Sequence, residues 1–520
     1  MKLPRSLAAV VAVSALLFAG CAGGGDGGGG DGGSGSTGGD GASSNAVTVL
    51  SIAQHAGPPS LDPEQALAGE QHFVFQTTYD SLILLTPDGQ FEPMLATSWE
   101  FSDDLKTLSM ELRDDVSFTD GAKFDAEAVK ANILHYRDGT GATAGNLRLV
   151  QDVVVTGEYS VDIVLSDVEP YLLMYLANGS GFMGSPEKLG TEEIKTNPVG
   201  TGPYIYDATA SSVGENLWFT KNPDYWNPDL QHFEKVNLQI IGDQTARVNA
   251  LVSGQIDAVN VDLSSADQVE GAGMIYVGTE NAGYGLHLTD RNGTKSAAIA
   301  DVRVRQALNY AFDREKIAAS LFNGRAAMNT QLYAPGVDGY LEELEELYPY
   351  DPAKGKELVS EAGFEGAEVG VTWLTYTDPA VKAVIQEAFT SIGLVPVVNE
   401  LVASDAFGLI RPDMPTVLWS AGNRPDPWNG AMSAAPTQPF NTFKIEDPEA
   451  NRIIADMRAN FLDEEKLKAG AEELNRFVME QAWIVPIYAQ PYGYYHSPRL
   501  EVDAQYAASI PFLYNFRPAS

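Results

Sequence analysis

Few residues of this 520-residue chain have the type and spacing that chemistry requires. Cys21 is the only cysteine, so the chain offers neither an intramolecular disulfide nor a thiolate metal site. No two of the six histidines have the spacing of a shared metal site: His55, His72, His135, His232, His287 and His496. GxSxG, HExxH and GxxxxGK[ST] motifs are absent, so no catalytic residue, metal or cofactor is predicted. A carboxylate pair of the glycosidase type stays open, because such pairs meet only in the fold.

The single cysteine ends an N-terminal segment that has the layout of a secretory signal. A basic start and an apolar run over residues 6–18, too short to span a membrane permanently, are followed by Ala19 and Gly20. A cysteine directly after such a small pair resembles a bacterial lipobox, where signal peptidase cleaves before a cysteine that becomes acylated. We predict a signal peptide over residues 1–20 and lipidation of Cys21. An ordinary secretory signal is the alternative.

Residues 21–46 are mostly Gly and Ser with a few Asp. Such a segment cannot bury enough apolar surface to offset its chain entropy, so we predict a disordered tether. The chain as a whole is 44% hydrophobic, 10% aromatic and 20% charged, which is a globular composition. Its length exceeds a single hydrophobic core and predicts at least two domains or lobes.

The formal net charge is -37 at pH 7. So large a negative charge excludes electrostatic binding to nucleic acid, because the phosphate backbone repels it. The same charge opposes adsorption to an anionic lipid surface. We therefore expect attachment to a membrane only through Cys21.

Strand-like and helix-like segments alternate from residue 47 onward. Helices are predicted by an N-capping Asp followed by an apolar stripe, in "DAEAVKANILHYRDG" after Asp125 and in "YDPAKGKELVSEAGF" after Asp351. "DVRVRQALNYAFDREKIAASLFNG" predicts two consecutive helices, capped by Asp301 and Asp313.

Two strand–helix–strand patterns indicate the fold class. "EVGVTWLTY", "TDPAVKAVIQEAFTSIG" and "LVPVVNELV" follow one another over residues 367–403, and "KVNLQII", "DQTARVNALVSG" and "IDAVNV" do so earlier. Each pattern predicts a βαβ unit with parallel strands. The sequence thus predicts an α/β fold of two lobes, in which ligands bind at the carboxyl ends of strands or between the lobes.

Eight phrases carry a specific resemblance over essentially all of residues 47–520. In chain order they are "LDPEQA", "YDSLILL", "PMLATSWEFSDDLKTLSMELRDDVSFTDGAKFDAEAVKANI", "NPVGTGPYIY", "KNPDYWNP", "ARVNALVSGQID", "VRVRQALNYAFDREKI" and "YDPAKGKELVSEAGF". The chain resembles the solute-binding proteins of ABC importers in the oligopeptide, dipeptide and nickel class, which is bacterial extracellular solute-binding protein family 5.

The resemblance implies a two-lobed periplasmic-binding-protein-like fold with an extra subdomain in the first lobe. The chain would cross between the lobes twice, near residues 281–286 and 484–489. The expected limits are 47–283 plus 487–520 for lobe I, about 92–190 for its subdomain, and 284–486 for lobe II.

Peptide-binding members of the family commonly carry Trp-x-x-Asp in the second lobe, where the Asp pairs with the ligand's α-ammonium group. The matching segment here is "WSAGNRPDPW", which keeps Trp419 but has Gly422 in place of the Asp. Asn423 and Arg424 follow, and an Arg suits an anionic or carboxylate-bearing ligand. Asp426 either substitutes for the missing carboxylate or caps the turn beside its prolines.

Other ligand contacts are expected from segments that face the cleft in this family. Gln54 and His55 follow the first strand, and Tyr284 and His287 enter the first crossing. Trp373, like the tryptophan of the motif above, would stack on a ring or a peptide plane; the alternative for each is a place in the core.

These observations together predict a monomeric receptor, not an enzyme, on the outer face of the cell membrane. It would capture a small ligand, foremost a short peptide or peptide-like compound, and deliver it to the transmembrane subunits of an ABC permease. The same fold with an oligosaccharide, opine or metal chelate as ligand is the alternative, as is a surface hydrolase.

Overall fold

The computed structural model describes residues 47–66, 71–141, 143–278, 282–375, 377–401, 414–420, 426–434, 441, 443–490, 492–506, 508 and 510–520. The predicted signal peptide, Cys21 and the predicted tether lie outside these residues, as do Gly422, Asn423 and Arg424. Among the described residues, no helix is both long enough and apolar enough to cross a membrane.

Most strands are short and lie within two large sheets. The described strands are β1 (Val49–Gln54), β2 (Ile83–Leu85), β3 (Phe91–Pro93), β4 (Ala96–Phe101), β5 (Thr107–Leu112), β6 (Val150–Gly157), β7 (Ser160–Leu165), β8 (Tyr204–Tyr206), β9 (Asn216–Lys221), β10 (Lys235–Ile240), β11 (Ala258–Asn260), β12 (Ile275–Val277), β13 (Ala282–Leu288), β14 (Ala327–Met328), β15 (Glu368–Leu374), β16 (Val395–Leu401), β17 (Thr416–Ser420), β18 (Ile484–Gln490), β19 (Tyr494–His496), β20 (Leu500–Val502) and β21 (Phe516–Pro518).

Most of the longer helices begin directly after a capping Asp. The described helices are α1 (His72–Thr78), α2 (Ala126–Asp138), α3 (Leu172–Leu176), α4 (Gln244–Val252), α5 (Ala266–Gly271), α6 (Ala297–Ala300), α7 (Val302–Tyr310), α8 (Arg314–Ser320), α9 (Pro352–Glu361), α10 (Pro379–Ser391), α11 (Pro427–Ala434), α12 (Pro448–Ala459) and α13 (Glu464–Glu480). Asp125, Asp301, Asp313 and Asp351 each accept a hydrogen bond from a backbone N–H in the first turn of the following helix, which confirms four predicted helix starts.

The first large sheet has seven strands in the order β12-β19-β11-β1-β10-β9-β8. Its central strand β1 is parallel to β10 on one side and to β11 on the other. The helix α4 connects β10 to β11, so the earlier of the two predicted strand–helix–strand patterns forms parallel strands with β1 between them.

The second large sheet has six strands in the order β14-β18-β13-β17-β15-β16. Strands β15 and β16 are parallel in continuous register from Glu368 opposite Val395 to Leu374 opposite Leu401, which confirms the later βαβ unit. Buried clusters cover both faces of this sheet. Leu286 of β13 packs with α7, α9 and α10, and Ile484 of β18 packs with α11, α12 and α13.

A four-stranded antiparallel sheet, β4-β5-β7-β6, lies within the first half of the chain and packs with α2 around its own core. It falls inside the expected subdomain of residues 92–190. This unit also contacts the second half of the chain. Tyr171 is buried in the cluster of α11, α12 and α13, and Arg458 of α12 lies 3.3 Å from Asp167.

The chain passes between the two large sheets twice. The first passage runs from Val277, the end of β12, to Ala282, the start of β13. The second runs from Gln490, the end of β18, to Tyr494, the start of β19. The expected end of lobe II at residue 486 falls inside β18, because this strand stays paired with β13 through Gln490. The lobe limits themselves stay a prediction.

Candidate ligand-binding site

Both large sheets present the carboxyl ends of their parallel strands to these two passages. In the first sheet, Asn260 at the end of β11 and Val277 at the end of β12 both pair with Tyr494, where the second passage ends. In the second sheet, β17 and β18 run antiparallel to β13, so their ends pair with the start of β13: Ser420 with Tyr284 and Gln490 with Ala282. This is the edge at which open α/β sheets bind ligands.

A small cleft lies at this edge of the first sheet. It is lined by Ala53, Gln54, His55, Arg247, Asn260, Tyr494 and Ile510. Gln54 is the last residue of β1 and is 5% exposed, whereas His55 follows it and is exposed. Both residues that the sequence predicts as ligand contacts at the end of the first strand therefore line this cleft. Their contact with a ligand stays a prediction.

Arg247 is the cation of this cleft, and sequence reasoning missed it. One guanidinium nitrogen, Nη1, donates to the carbonyl oxygens of Ile241 (2.8 Å) and Gly242 (2.9 Å), and Nη2 donates to Gln244 Oε1 (2.6 Å). The side chain is buried, and none of the described carboxylates forms an ion pair with it. Neutral acceptors therefore hold a positive charge at the cleft. The sequence signal that could have identified Arg247 was its position on the helix that follows a parallel strand.

Three of the predicted contacts lie on neighbouring strands of the second sheet. Tyr284 and His287 are on β13, and Trp419 is on β17 opposite Gly285. A Cβ atom at Gly285 would lie 2.4 Å from the carbonyl oxygen of Val485, so only glycine permits the approach of β18 here. Side chains alternate between the faces of a strand, so Tyr284 projects from one face and the other two from the opposite face.

Trp373 occupies a core position, which is one of the two places that the sequence leaves open for it. It is 2% exposed and belongs to the cluster around α7 and α10. Its indole Nε1–H donates to Glu400 Oε1 at 3.1 Å, which satisfies the one polar group of the ring. The core alternative that the sequence left open is therefore the one that the structure supports.

Asp426 caps a helix, which was the second of its two predicted roles. Its Oδ1 accepts a hydrogen bond from the backbone N–H of Trp428 (2.8 Å) at the start of α11. The hydroxyl of Tyr333 donates to the carbonyl oxygen of Pro427 (2.7 Å) and fixes the same turn. A role of Asp426 toward a ligand ammonium group stays a prediction.

A second cavity, of about 720 Å³, lies at the edge of the second sheet that is formed by β14 and β18. It reaches Ala489 near the carboxyl end of β18 and the edge strand β14, and three tyrosines line it: Tyr333, Tyr348 and Tyr350. Its volume is within the range of pockets that hold small organic ligands.

The chain forms two α/β lobes, and the strand ends of both lobes face the two segments that connect them. This arrangement defines the two-lobed periplasmic-binding-protein-like fold. Proteins of this class enclose ligands between their lobes. The family model described as bacterial extracellular solute-binding proteins, family 5 Middle, matches residues 90–437. The chain belongs to this family.

Relatives and solved structures agree with this assignment. The glutathione-binding protein GsiB of Escherichia coli O1:K1 / APEC is 28% identical over 357 residues, which are 67% of this chain and 68% of that protein. DppA from Helicobacter pylori in complex with the peptide STSA superposes with a TM-score of 0.75 at 22% identity, covering 91% of this chain and 99% of that one. NikA from Brucella suis in complex with Fe(III)-EDTA superposes with a TM-score of 0.76 at 23% identity, covering 91% and 100%.

Membership in this family establishes the general function. The chain is an extracytoplasmic solute-binding receptor that works with an ABC importer. The relative GsiB and the solved structure of DppA are both named as binding proteins.

Proposed function

We propose that the chain is a lipid-anchored receptor for a short peptide or peptide-like compound that carries a carboxylate. Its acylated Cys21 would hold it on the outer face of the cell membrane, within reach of the permease. Closure of the two lobes would bury the ligand, and the closed form would be the one that docks on the permease.

The position of Arg247 is the observation that supports a carboxylate on the ligand. Its guanidinium group lies in the cleft at the strand ends, positioned by two backbone carbonyls and a glutamine side chain. A planar guanidinium group binds a carboxylate with two parallel hydrogen bonds. Because the group is already held in place, little side-chain entropy is lost when a ligand binds.

The ligands named for the related proteins share this chemistry. Glutathione, the peptide STSA and EDTA all carry carboxylates, and the first two are peptides or peptide-like. Gly422 stands where peptide-binding members have an Asp, so a ligand with a free α-ammonium group would need another partner for that group, because a buried unpaired charge is costly.

Native mass spectrometry of the purified full-length chain is the first test, because it identifies a ligand that co-purifies with the protein. Melting temperature and tryptophan fluorescence are then measured with di- and tripeptides, glutathione, an opine, an oligosaccharide and metal chelates. The proposal expects a peptide-like carboxylate to raise the melting temperature. A response to the neutral oligosaccharide alone, or to no compound, contradicts it, and turnover of any compound would support the hydrolase instead.

Arg247 is tested by replacement with Gln and with Lys. Loss of a hydrogen-bonded charge should weaken the binding of the carboxylate ligand by about 1.5–3 kcal/mol, roughly 10- to 150-fold, and Lys should restore part of it. Arg517→Gln is the matched control, because Arg517 pairs with Asp503 at the surface, outside the cleft. If the Gln variant and the control bind the carboxylate ligand with equal affinity, Arg247 is not a contact of that ligand.

A further inference from the structure

Asp62, Glu64 and His135 form a compact cluster outside the cleft described above. One carboxylate oxygen of each acid and one ring nitrogen of the histidine lie within 4.8 Å of one another. Asp62 is 4% exposed, and the other two side chains are partly buried. Asp62 caps the short turn Pro63–Gln65 that follows β1, whereas His135 is in the last turn of α2. The cluster therefore joins the loop after β1 to the helix of the four-stranded subdomain.

Glu64 is held in place by the backbone around it. Its Oε1 accepts hydrogen bonds from the N–H groups of Thr140 (2.9 Å) and Gly141 (2.5 Å), in the loop that follows α2. This loop closes on Glu64 only because it has glycines. A Cβ atom at Gly139 would lie 2.5 Å from Glu64 Oε1, and one at Gly141 would lie 2.3 Å from the Glu64 carbonyl oxygen. The other carboxylate oxygen, Oε2, is left facing the histidine.

His135 directs a buried ring nitrogen into the cluster. Its Nε2 atom lies 3.4 Å from Glu64 Oε2, but it forms no hydrogen bond with any part of the chain that the structure describes. A buried polar atom without a partner destabilises the folded protein, so such atoms generally have one. Ligands of a tetrahedral metal with bonds of about 2.0–2.1 Å are about 3.3–3.4 Å apart, which is the separation of these two atoms.

The charge of the cluster also favours a cation. Asp62 and Glu64 bring two carboxylates together in a partly buried place, and Lys195, the nearby lysine, pairs with Glu192 at 2.6 Å. A bound dication would offset the repulsion between the two carboxylates.

We propose that Asp62, Glu64 and His135 bind a divalent first-row transition metal ion, with Zn²⁺ the preferred one. An imidazole with two carboxylates suits Zn²⁺, whereas Ca²⁺ and Mg²⁺ prefer a set of oxygen ligands alone. The ion is structural: it cross-links the loop after β1 to α2 and stabilises the attachment of the subdomain. The sequence did not reveal the site, because its histidine is separated from the acids by about seventy residues and has no histidine neighbour.

Isothermal titration of the chelator-treated full-length chain with ZnCl₂ tests the site, with CaCl₂ as the comparison. The proposal expects one Zn²⁺ per chain, a melting temperature that rises with Zn²⁺, and no comparable effect of Ca²⁺. His135→Gln should weaken the binding of Zn²⁺ at least about tenfold, because it removes a ligand. His232→Gln is the matched control, since it removes a half-buried histidine elsewhere and should leave the affinity unchanged.

Anomalous diffraction locates the ion independently of variant stability, and a further variant tests a second ligand. Anomalous diffraction at the zinc edge should show one peak between Asp62, Glu64 and His135. Glu64→Asp, which keeps the charge but shortens the side chain, should also lose affinity. Zinc bound with equal affinity by the His135 and His232 variants, a peak elsewhere on the acidic surface, or no binding would each overturn the proposal and leave the three residues as an ordinary ion pair with a helix cap.

Discussion

The rings of Tyr284 and Tyr488 stack with their centroids 5.3 Å apart and their planes inclined by 11°. They lie opposite each other on β13 and β18, the two strands through which the chain enters and leaves the second sheet. The stack therefore links these two strands at a point only a few residues from each passage. Phe322 packs on Tyr488 from another direction, with ring centroids 5.8 Å apart.

Removal of this stack should weaken the packing between β13 and β18 and so lower the stability of the protein. We expect Tyr284→Ala to lower the free energy of unfolding by about 1–3 kcal/mol, through the lost aromatic pair and the lost apolar area. Tyr284→Phe keeps the ring and should retain more than half of this contribution. Denaturant unfolding of the three proteins measures it, and equal losses in the two variants would show that the hydroxyl group matters and the stack does not.

His72 predicts a loss of stability in acid. Its ring is fully buried between Phe182 and Phe512, at 5.0 and 4.0 Å between centroids, and burial lowers its pKa to about 3. The folded pKa lies below the unfolded value of about 6.5, so the stability is fully present above pH 6.5 and is lost as the pH falls. About 3 kcal/mol should disappear between pH 7 and pH 4.

The variant His72→Phe keeps an aromatic ring between its two neighbours and cannot take up a proton. Urea unfolding at pH 7, 5.5 and 4 should therefore show a shallower acid loss in the variant than in the parent chain. His496→Phe is a weaker comparison, because His496 is also buried but its ring nitrogen contacts the carbonyl oxygen of Ser497. Parallel pH profiles for His72→Phe and the parent chain would contradict the prediction.

Burial of Asp80 predicts a stability that falls as the pH rises, opposite to the effect of His72. Its carboxylate is fully buried, and it accepts hydrogen bonds from Tyr225 (2.9 Å), Trp226 (2.9 Å) and Tyr514 (3.1 Å). Desolvation outweighs these bonds and raises its pKa to about 6. The folded pKa exceeds the unfolded one, so this stabilising contribution is complete below about pH 4 and is lost as the pH rises through 6, by about 3 kcal/mol.

Asp80→Asn should remove that slope while lowering the stability at every pH, because its amide NH₂ group meets one of the three donors. Unfolding free energies at pH 4, 5, 6 and 7 separate the slope from the constant loss. Asp88→Asn, at an exposed turn, serves as the control and should keep the slope of the parent chain. A slope that survives in Asp80→Asn would assign it to another group.

Cys21→Ala tests the anchor without touching the folded part. If the cysteine carries the lipid, the variant should appear in the medium or remain unprocessed, whereas the parent chain should partition into detergent with the membrane fraction. Ligand affinity of the purified variant should be unchanged. Retention of the variant at the membrane, with normal processing, would favour an ordinary secretory signal and a different means of attachment.

Local signals were sufficient for much of the fold. An Asp before an apolar stripe specified the starts of α2, α7, α8 and α9, because the capping hydrogen bond joins residues only two or three positions apart. The strand–helix–strand pattern around α10 likewise determined a parallel pair, since a short crossover leaves little other choice.

The site depends on contacts between distant residues, and there the sequence was less informative. Trp373 and Trp419 have the same residue type and similar strand contexts, yet the first is core and the second lies half-exposed beside the passage. Their burial depends on which helices cover each face of the sheet. Arg247 had a signal in its position after a strand, but only the folded sheet shows that it shares a cleft with Asn260 and Tyr494.

The sequence by itself determined the family, the two α/β lobes and the predicted export of the chain, because each rests on local order along the chain. Only the tertiary structure decided which side chains come together: Arg247 lines the same cleft as Tyr494, and His135 lies beside Asp62 and Glu64. The physical reason is that burial and charge act through space. The energy of a buried cation or imidazole depends on neighbours that come from distant parts of the chain, and no local pattern records them.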